Sequence, residues 1–229
     1  MKDWFAGDVA ARYDADCADM PVDPVVDFLL PLAGGGALEL AVGTGRIAVP
    51  LAERGVRVTG VDLSHDMVAE LRKKTPEIPV AIGDMTTTRV DGAFSLVYIV
   101  FNSINNVTTQ DGQVAVFASA AAHLTPGGVF VMEVGTRNRQ PLTVFDLSDT
   151  HIGIDEYDND TQRLVSHHFT LRDGEWQRIS IPFRAVSPAE LDLMARLAGL
   201  ELRERWADWD RSPFTAESTK HISVWEKTA

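Results

Sequence analysis

The sequence predicts an α/β fold in which a mostly parallel sheet of seven strands carries helices on both faces. Strand-like apolar runs alternate with helix-like segments between residues 37 and 134, an alternation typical of parallel sheets. The run Phe94–Phe101 is apolar except for Ser95, as expected of a strand covered on both sides. After Thr136 the pattern changes to short strand-like runs separated by turns. This change predicts a small antiparallel cap inserted after the fifth strand.

Length and composition limit the classes of protein to consider. With 229 residues, of which 45% are hydrophobic, the chain is expected to form one domain. Its net charge of −12 argues against a nucleic-acid partner, because phosphate binding needs a basic face. No apolar run reaches the roughly 20 residues that a membrane helix needs, and Met1–Trp4 lacks the apolar core of a signal peptide. These features predict a cytoplasmic protein without a membrane partner.

The elements follow in order along the chain. Two N-terminal helices are expected at Asp3–Ala15 and Pro24–Leu32. The strands of the core are predicted near 37–42, 56–61, 78–82, 94–101 and 128–134, and its helices near 45–54, 64–74 and 110–124. Together these segments describe a sheet built from strand–helix–strand units.

Hairpin signals organise the cap, and a helix start marks the return to the core. Three cap strands are predicted at 151–157, 163–172 and 176–185, with a strong turn signal at Asp173-Gly174. Ser187 and Glu190 form a capping-box pattern around Pro188, so a helix is expected from there to Ala198. The last two strands, 200–207 and 221–226, are expected to pair antiparallel.

These boundaries divide the single predicted domain into four parts. Residues 1–35 are expected to form N-terminal helices and a lid, and residues 36–135 the core with the sheet. Residues 136–186 form the cap, and residues 187–229 supply the last helix and the final two strands.

The segment Ala37–Arg46 carries the strongest functional signal. An apolar strand runs into the turn Gly43-Thr44-Gly45, and a helix follows. Such a unit brings backbone N–H groups close to a ligand, and glycine permits both the turn and the close approach. Glu39 lies inside this otherwise buried strand, where a carboxylate is costly unless a partner compensates it. A bound ligand with a cationic end would supply that partner.

Two more acids end the next strands. Asp62 closes the second strand, where an acid can accept hydrogen bonds from ribose hydroxyls. Asp84 follows the third strand in Gly83-Asp84-Met85. The carboxyl ends of parallel strands meet at one edge of a sheet, so the three acids are expected to face one crevice. That crevice suits a ligand with an amine, a ribose and an adenine.

This pattern resembles the class I S-adenosylmethionine-dependent methyltransferases of the small-molecule type, which have a Rossmann-like sheet. The family motif, acid-x-Gly-x-Gly-x-Gly, is matched by Glu39–Gly45 with Ala41 in place of the first glycine. The segment Leu124–Gly128 before the fifth strand is also typical of the family. The resemblance implies S-adenosylmethionine as the cofactor and S-adenosylhomocysteine as the product.

The resemblance also implies roles for individual residues. Asp62 would bind the ribose, Asp84 the adenine amino group, and Tyr13 and Arg46 the methionine end of the cofactor. The full set of implied cofactor-binding residues is Tyr13, Glu39, Ala41, Gly43, Gly45, Arg46, Asp62, Leu63, Met67, Asp84, Met85 and Phe101. For Tyr13 and Arg46, a core aromatic and a surface arginine are the simpler alternatives.

Candidate catalytic residues follow from the chemistry. Methyl transfer from a sulfonium is an in-line displacement that depends mainly on alignment. Asn102, just past the fourth strand, would polarise a substrate group, although an asparagine there also suits a plain turn. His168 in the cap would act as a base if it faces the pocket. Glu133 is a further candidate to face the substrate, and Trp206–Arg211 either walls the pocket or seals the core edge. No metal cluster is apparent, so no metal is predicted.

Two alternatives stay open at this point. Gly43-x-Gly45-x-x-Ala48 also fits the dinucleotide fingerprint, and Asp62 stands where a NAD(P)-dependent oxidoreductase places its ribose acid. Glu39 and Asp84 have no obvious role in such an enzyme. A non-catalytic cofactor-binding module is the second alternative, since a fold does not prove activity. The favoured prediction is a methyltransferase acting on nitrogen or oxygen of a small molecule in specialised metabolism. A peptide and an amino sugar are the substrates considered.

Overall fold

The computed structural model describes residues 3–136 and 140–228 and contains the predicted sheet. Its seven strands stand in the order β10-β11-β5-β4-β1-β2-β3. Their bounds are β1 Ala37–Leu40, β2 Val58–Asp62, β3 Val80–Ile82, β4 Phe94–Ile99, β5 Leu124–Gly135, β10 Leu200–Trp206 and β11 Lys220–Lys227. All neighbours pair in parallel except β11, which is antiparallel to both β5 and β10. The predicted fold class is confirmed.

Helices cover both faces of this sheet. Their bounds are α1 Asp8–Asp16, α2 Asp23–Leu29, α3 Ala48–Glu53, α4 His65–Lys74, α5 Gln110–His123 and α6 Pro188–Leu197, with short 3₁₀ turns at Leu30–Leu32 and Ser103–Asn106. One core cluster centres on Phe117, Phe130 and Trp225, and a second contains Phe28 and Tyr98. Burial on both faces explains why the central strands read as continuous apolar runs.

The order of the strands positions a crevice. The chain moves outward from β1 to β2 and β3, then returns to place β4 on the other side of β1. Ligands of open α/β sheets bind outside the carboxyl ends of the strands at such a reversal. Glu39, Asp62 and Asp84 belong to β1, β2 and the residues just after β3, so the topology brings the three acids to one edge.

The cap has one strand more than the sequence predicts. It is a four-stranded antiparallel sheet of β6 Leu142–Leu147, β7 His151–Tyr157, β8 Arg163–Arg172 and β9 Glu175–Arg184, in that order. The turn between β8 and β9 has positive φ at Asp173 and Gly174, 50° and 81°, as the Asp-Gly signal indicates. The missed strand β6 is a mostly exposed edge strand, so burial imposes no clear alternation on its sequence.

The first helix begins later than predicted. We expected it from Asp3, but α1 starts at Asp8, after Gly7 with a φ of 61°. That left-handed conformation is natural for glycine and stops a helix from extending backwards. At α6 the capping prediction is confirmed, since Ser187 Oγ accepts a hydrogen bond from Glu190 N at 3.2 Å. Across the described part of the chain, no helix has the length and apolar character that membrane crossing requires.

Candidate active site

A crevice of about 990 Å³, open to solvent, lies at the carboxyl ends of β1 to β4. It brings together most of the residues that the sequence singles out. Its lining includes Tyr13, Glu39, Ala41, Gly43, Arg46, Asp62, Leu63, Met67, Asp84, Met85 and Phe101. Of the implied cofactor-binding residues, only Gly45 is absent from this lining. The N-terminal residues Asp3, Trp4 and Phe5 cover part of the crevice as well.

The glycine turn is built for close packing. Gly43 has a φ of 56°, and a Cβ there would lie 3.1 Å from Met67 Cε. Gly45 has a φ of 76°, and its Cβ would lie 3.0 Å from side-chain atoms of Leu71 and Val49. Gly45 therefore serves the packing of α4 and α3 against the turn, which explains why it does not face the crevice.

Ala41 shows the consequence of replacing the first glycine of the motif. Its φ is 63°, in the left-handed region where a side chain costs about 1–2 kcal/mol. The substitution is small in volume but carries backbone strain. Strain of this kind persists only where the surrounding structure imposes it, and here strand β1 and the glycine turn fix Ala41 from both sides.

Glu39 is a buried acid of strand β1. Its side chain is 2% exposed, and Oε2 accepts a hydrogen bond from the Tyr98 hydroxyl at 2.9 Å. Burial raises the pKa of Glu39 to about 8, although the bond from Tyr98 and the charge of Arg46 act in the opposite direction. A cationic ligand group beside this carboxyl would favour its ionised form, so Glu39 is suited to bind an ammonium group.

Asp62 is oriented by backbone donors. Its Oδ2 accepts from Gly43 N at 2.6 Å and its Oδ1 from Ser64 N at 2.8 Å. Burial raises the pKa of this carboxyl, and the two backbone hydrogen bonds oppose the rise. Ser64 in turn caps α4 by accepting from Met67 N. A carboxylate held in this way presents its remaining lone pairs to a ligand in one fixed orientation.

Asp84 and Met85 form the third side of the crevice. Asp84 Oδ1 accepts hydrogen bonds from Thr86 N at 2.9 Å and Thr86 Oγ1 at 2.7 Å, so Thr86 fixes the orientation of the carboxylate. Asp84 Oδ2 has no such bond among the described residues and is available to a ligand donor. Met85 lines the crevice next to it.

Helix α1 closes the crevice from the N-terminal side. Tyr13 lies in its lining, and its ring packs edge-on against Phe5 at 6.4 Å between centroids. Burial raises the pKa of the Tyr13 hydroxyl, so it stays protonated and serves as a hydrogen-bond donor. Asp14 fixes the helix in place by accepting from Thr44 Oγ1 at 2.6 Å.

A second cavity of about 500 Å³ adjoins the crevice. Phe101 and Arg46 line both spaces. The other lining residues are Met20, Pro21, Val25, Asn102, Glu133, Gly135, Trp209 and Lys220. The candidate catalytic residue Asn102 therefore lies in this second cavity. Trp209, in the aromatic loop that the sequence flagged, forms part of its wall.

Phe101 and Asn102 have an unusual backbone. Their φ angles are 53° and 61°, two successive left-handed residues without a glycine. For a residue such as Phe101 this region costs about 1–2 kcal/mol, whereas asparagine adopts it more readily. Strain of this kind collects at functional sites. Asn102 Oδ1 accepts from Gly135 N at 2.5 Å, which leaves the side-chain NH₂ group of Asn102 as its donor toward a ligand.

The sequence places Asn106 in the run Phe101–Asn106 after the fourth strand, which is expected to border the methyl group and the substrate, but it indicates no individual role for Asn106. This residue lines the crevice, and its buried Oδ1 atom has no hydrogen-bond partner among the described residues. A buried carbonyl oxygen without a partner is costly, so a ligand donor is the natural complement. The available signal was the polar run that follows β4, where Ser103 also reaches the crevice.

His168 lies outside both cavities. It sits on the cap strand β8, with Nδ1 3.2 Å from His151 Nε2 and Nε2 3.3 Å from Ser166 Oγ. No described cap residue lines either the crevice or the second cavity. The condition set for His168 as a base, that it faces the pocket, is therefore not met by these two spaces. Within residues 3–136 and 140–228, no group of three or more potential ligands is arranged to hold a metal ion.

Comparisons with known proteins agree with this geometry. A family model described as a methyltransferase domain matches residues 37–128. The solved structure of the CcbJ methyltransferase from Streptomyces caelestis superposes with a TM-score of 0.82 at 33% identity, over 94% of this chain and 96% of that one. The cypemycin N-terminal methyltransferase of a Streptomyces species is 28% identical over 86% of this chain and 85% of its own length.

A sugar-modifying enzyme is also similar. The dTDP-3-amino-3,4,6-trideoxy-alpha-D-glucopyranose N,N-dimethyltransferase of Streptomyces venezuelae is 29% identical over 67% of this chain. The match spans 62% of that enzyme, less than two thirds of its length. The near-complete match to the Streptomyces caelestis structure, together with the crevice, supports one conclusion: the chain belongs to the S-adenosylmethionine-dependent methyltransferase family.

Proposed function

We propose that the chain transfers the methyl group of S-adenosylmethionine to an amine nitrogen of a small molecule. The observation that carries this proposal is the pair of adjoining cavities, which share Phe101 and Arg46. The crevice has the acids and glycines for the cofactor, and the second cavity provides separate room for an acceptor. One relative that matches the chain is named as an N,N-dimethyltransferase of an amino sugar, and another as an N-terminal methyltransferase.

The crevice residues fit the cofactor group by group. Glu39 would bind the amino group of the methionine end and Arg46 its carboxylate, and both residues line the crevice. Asp62 would accept from the ribose hydroxyls, and Asp84 from the adenine amino group. The unpartnered Oδ1 of Asn106 offers one further acceptor to a donor of the bound molecule.

Alignment is the main contribution of the protein. When bound, S-adenosylmethionine supplies a methyl group on a positively charged sulfur that already activates it. The chain has to hold an amine in line with that methyl and to exclude water. Orientation of two reactants can lower the barrier by about 7–11 kcal/mol. Phe101, exposed by 40% at the border of both cavities, is placed to determine that approach.

The second cavity suits an amine with an apolar body. Met20, Pro21, Val25 and Trp209 provide apolar walls. The polar end contains Glu133 and Lys220, and Asp208 pairs with Lys220 at 2.7 Å. With Arg46, which also lines the cavity, two acids and two cations balance at this end, so their charges do not select an ionised nitrogen. The nitrogen must lose its proton before it attacks, so the rate is expected to rise with pH until the amine is neutral.

We also propose that the protein acts in the cytoplasm without a nucleic-acid partner. Its net charge of −12 disfavours phosphate backbones. The single cysteine, Cys17, suits a reducing compartment, where disulfides are rare.

Thermal unfolding tests the cofactor. The protein is melted alone, with S-adenosylhomocysteine and with NADPH. A ligand at about 100 times its Kd adds about 2.7 kcal/mol, which raises the Tm of a chain of this size by about 5–10 °C. We expect this rise with S-adenosylhomocysteine for the wild type and not for Asp62→Ala. Asp91→Ala removes an exposed acid outside the crevice lining and is the matched control. A rise with NADPH alone would refute the proposal in favour of an oxidoreductase.

An acceptor screen tests the nitrogen. Pairs of small molecules that differ only by an amino or a hydroxyl group are incubated with S-adenosylmethionine, and products are detected by mass. We expect a gain of one or two methyl groups on the amino member of a pair. Methylation confined to hydroxyl members would contradict the proposed nitrogen acceptor while leaving the cofactor assignment intact.

A further inference from the structure

Glu133 is a buried carboxylate near the end of β5 that the proposed transfer step does not use directly. Its side chain is 7% exposed and accepts three hydrogen bonds. Oε2 accepts from Phe101 N at 2.9 Å. Oε1 accepts from Trp209 Nε1 and from Lys220 Nζ, both at 3.3 Å. Both oxygens are therefore engaged, and one of the three donors belongs to the residue between the cavities.

The bond to Phe101 is one of three that hold the strained turn after β4. Asn102 N donates to the carbonyl oxygen of Glu133 at 3.2 Å. Gly135 N donates to Asn102 Oδ1 at 2.5 Å. All three bonds run between the turn and β5, and two of them end on Glu133. Successive left-handed residues need such external support, because their own backbone preference opposes the conformation.

The other side of Glu133 is held by the loop that precedes β11. Lys220 Nζ bonds Asp208 Oδ1 at 2.7 Å as well as Glu133, and Trp209 N donates to the same Asp208 oxygen at 2.8 Å. The pKa of Lys220 is raised, because the partners Asp208 and Glu133 outweigh the opposing effect of burial. Lys220 therefore stays protonated, and the carboxylate of Glu133 has little freedom to rotate.

We infer that Glu133 is a positioning residue, which holds Phe101 as the wall between the cofactor crevice and the acceptor cavity. This inference rests on the proposed function, since it assigns the two cavities to the two substrates. Glu133 acts through Phe101, whose amide it binds and whose ring borders both spaces. Without the carboxylate, the turn loses one of its two hydrogen bonds to Glu133. We expect the turn to relax, so that the Phe101 ring moves away from the cofactor.

Hydrogen exchange at the Phe101 amide tests the contact without any substrate. Glu133→Leu keeps a buried side chain of similar size but removes the acceptor, whereas Glu133→Gln keeps an oxygen that can accept from the amide. We expect exchange at Phe101 to be about tenfold faster in Glu133→Leu, since the net value of one hydrogen bond to a charged group is at least tenfold in an equilibrium. Glu133→Gln should remain within about threefold of the wild type.

Calorimetric binding of S-adenosylhomocysteine tests the consequence. We expect the Kd to rise about fivefold in Glu133→Leu and in Phe101→Ala. The double variant should have the same Kd as Phe101→Ala alone, because the effects of substituting residues that act as one unit are not additive. Glu133→Met, which also lacks the acceptor oxygen, repeats the test if Glu133→Leu does not fold. Asp91→Ala removes an exposed acid outside both cavities and is the control. It should keep the slow exchange at Phe101 and wild-type affinity.

The outcomes separate this inference from the proposed function. Additive losses in the double variant, or unchanged Phe101 exchange in Glu133→Leu, would overturn the positioning role. Equally fast exchange at Phe101 in Asp91→Ala would also overturn it, because the effect would then not be specific to the carboxylate that binds the amide. A wild-type protein that does not bind S-adenosylhomocysteine would refute the cofactor assignment, while the exchange measurement would still decide whether Glu133 holds the turn.

Discussion

Under the proposed function, the acid Glu39 on β1 should make cofactor binding sensitive to pH. Its pKa of about 8 means that the group is mostly neutral at pH 7 when no ligand is bound. Tyr98, Arg46, Asp62 and Tyr13 are the titratable or charged groups around it. An ammonium group binds the ionised form, so binding must include the loss of a proton from Glu39.

The affinity for S-adenosylhomocysteine should therefore rise with pH below 8. One pH unit changes the ionised fraction about tenfold well below the pKa, equal to about 1.36 kcal/mol, so we expect about a tenfold gain between pH 6 and pH 7 and a smaller gain up to pH 8. Calorimetry in matched buffers measures it. Glu39→Gln should bind weakly with a flat profile, and a wild-type profile that is equally flat would contradict the role of Glu39.

The same group affects the stability of the ligand-free protein. The pKa of Glu39 is raised from 4.5 to about 8, so the folded state binds more protons than the unfolded state between these values. Its contribution to stability is fully present below about pH 4.5 and is lost as pH rises through about 8. Glu39→Gln, which retains an oxygen for the Tyr98 hydroxyl, should accordingly melt higher than the wild type at pH 9 but not at pH 4.5. The Tm at the two pH values is the measurement.

Among the secondary structure elements, helix α1 is held against the crevice by polar contacts. Asp14 accepts from Thr44 in the glycine turn at 2.6 Å and pairs with Lys74 at the end of α4 at 2.5 Å. Gly7, just before the helix, donates to Asp66 at 2.7 Å. The hydrogen bonds from Lys74 and Thr44 lower the pKa of Asp14 despite the opposing effect of burial. The helix is thus fastened to two elements of the cofactor site.

Removing Asp14 should weaken this attachment of α1 more than it destabilises the fold. A hydrogen bond to a charged group is worth about 1.5–3 kcal/mol, and the partly exposed ion pair adds little. We expect Asp14→Ala to release S-adenosylhomocysteine about 10–150 times faster, as measured by stopped-flow displacement. Asp16→Ala removes an exposed acid of the same helix and should leave the rate unchanged. Equal effects of the two variants would refute a specific role of Asp14 in holding α1 against the crevice.

At the scale of the whole molecule, a buried polar cluster joins the cap to the core. Arg184, 6% exposed at the end of β9, donates to Glu190 on α6 at 2.7 Å, and to Gln113 on α5 and Gln162 at 2.5 Å each. Gln113 then donates to the carbonyl oxygen of Ile104 at 3.3 Å. The cluster therefore reaches the turn that carries Asn106 into the crevice.

Arg184→Met should destabilise the protein strongly. It leaves the mostly buried carboxylate of Glu190 without its cation, and breaking such a pair costs about 3–5 kcal/mol. The double variant Arg184→Met/Glu190→Gln removes the unpaired charge and should recover part of the loss. Urea unfolding measures both variants. A double variant no more stable than Arg184→Met would show that the arginine contributes by packing rather than through its charge.

The family, the fold class and the cofactor predicted from the sequence are confirmed at this scale. The alternation of apolar runs and helices depends on local periodicity, and the acid–glycine motif depends on neighbouring residues. Both are properties of short stretches of chain. For the same reason the turn at Asp173-Gly174 and the cap of α6 at Ser187 were predictable, whereas the exposed edge strand β6 was not.

By itself, the sequence determined the sheet, the glycine turn and the three acids of the crevice, because each is encoded by residues close together in the chain. Only the tertiary structure decided how distant residues meet. Phe101 and Glu133, separated by 32 positions, come together because β4 and β5 pair in parallel. Trp209 and Lys220 reach the same carboxylate because β11 pairs with β5. His168 lies outside both cavities because the cap packs on α5 and α6 through Arg184, and no local pattern encodes where such an inserted sheet docks.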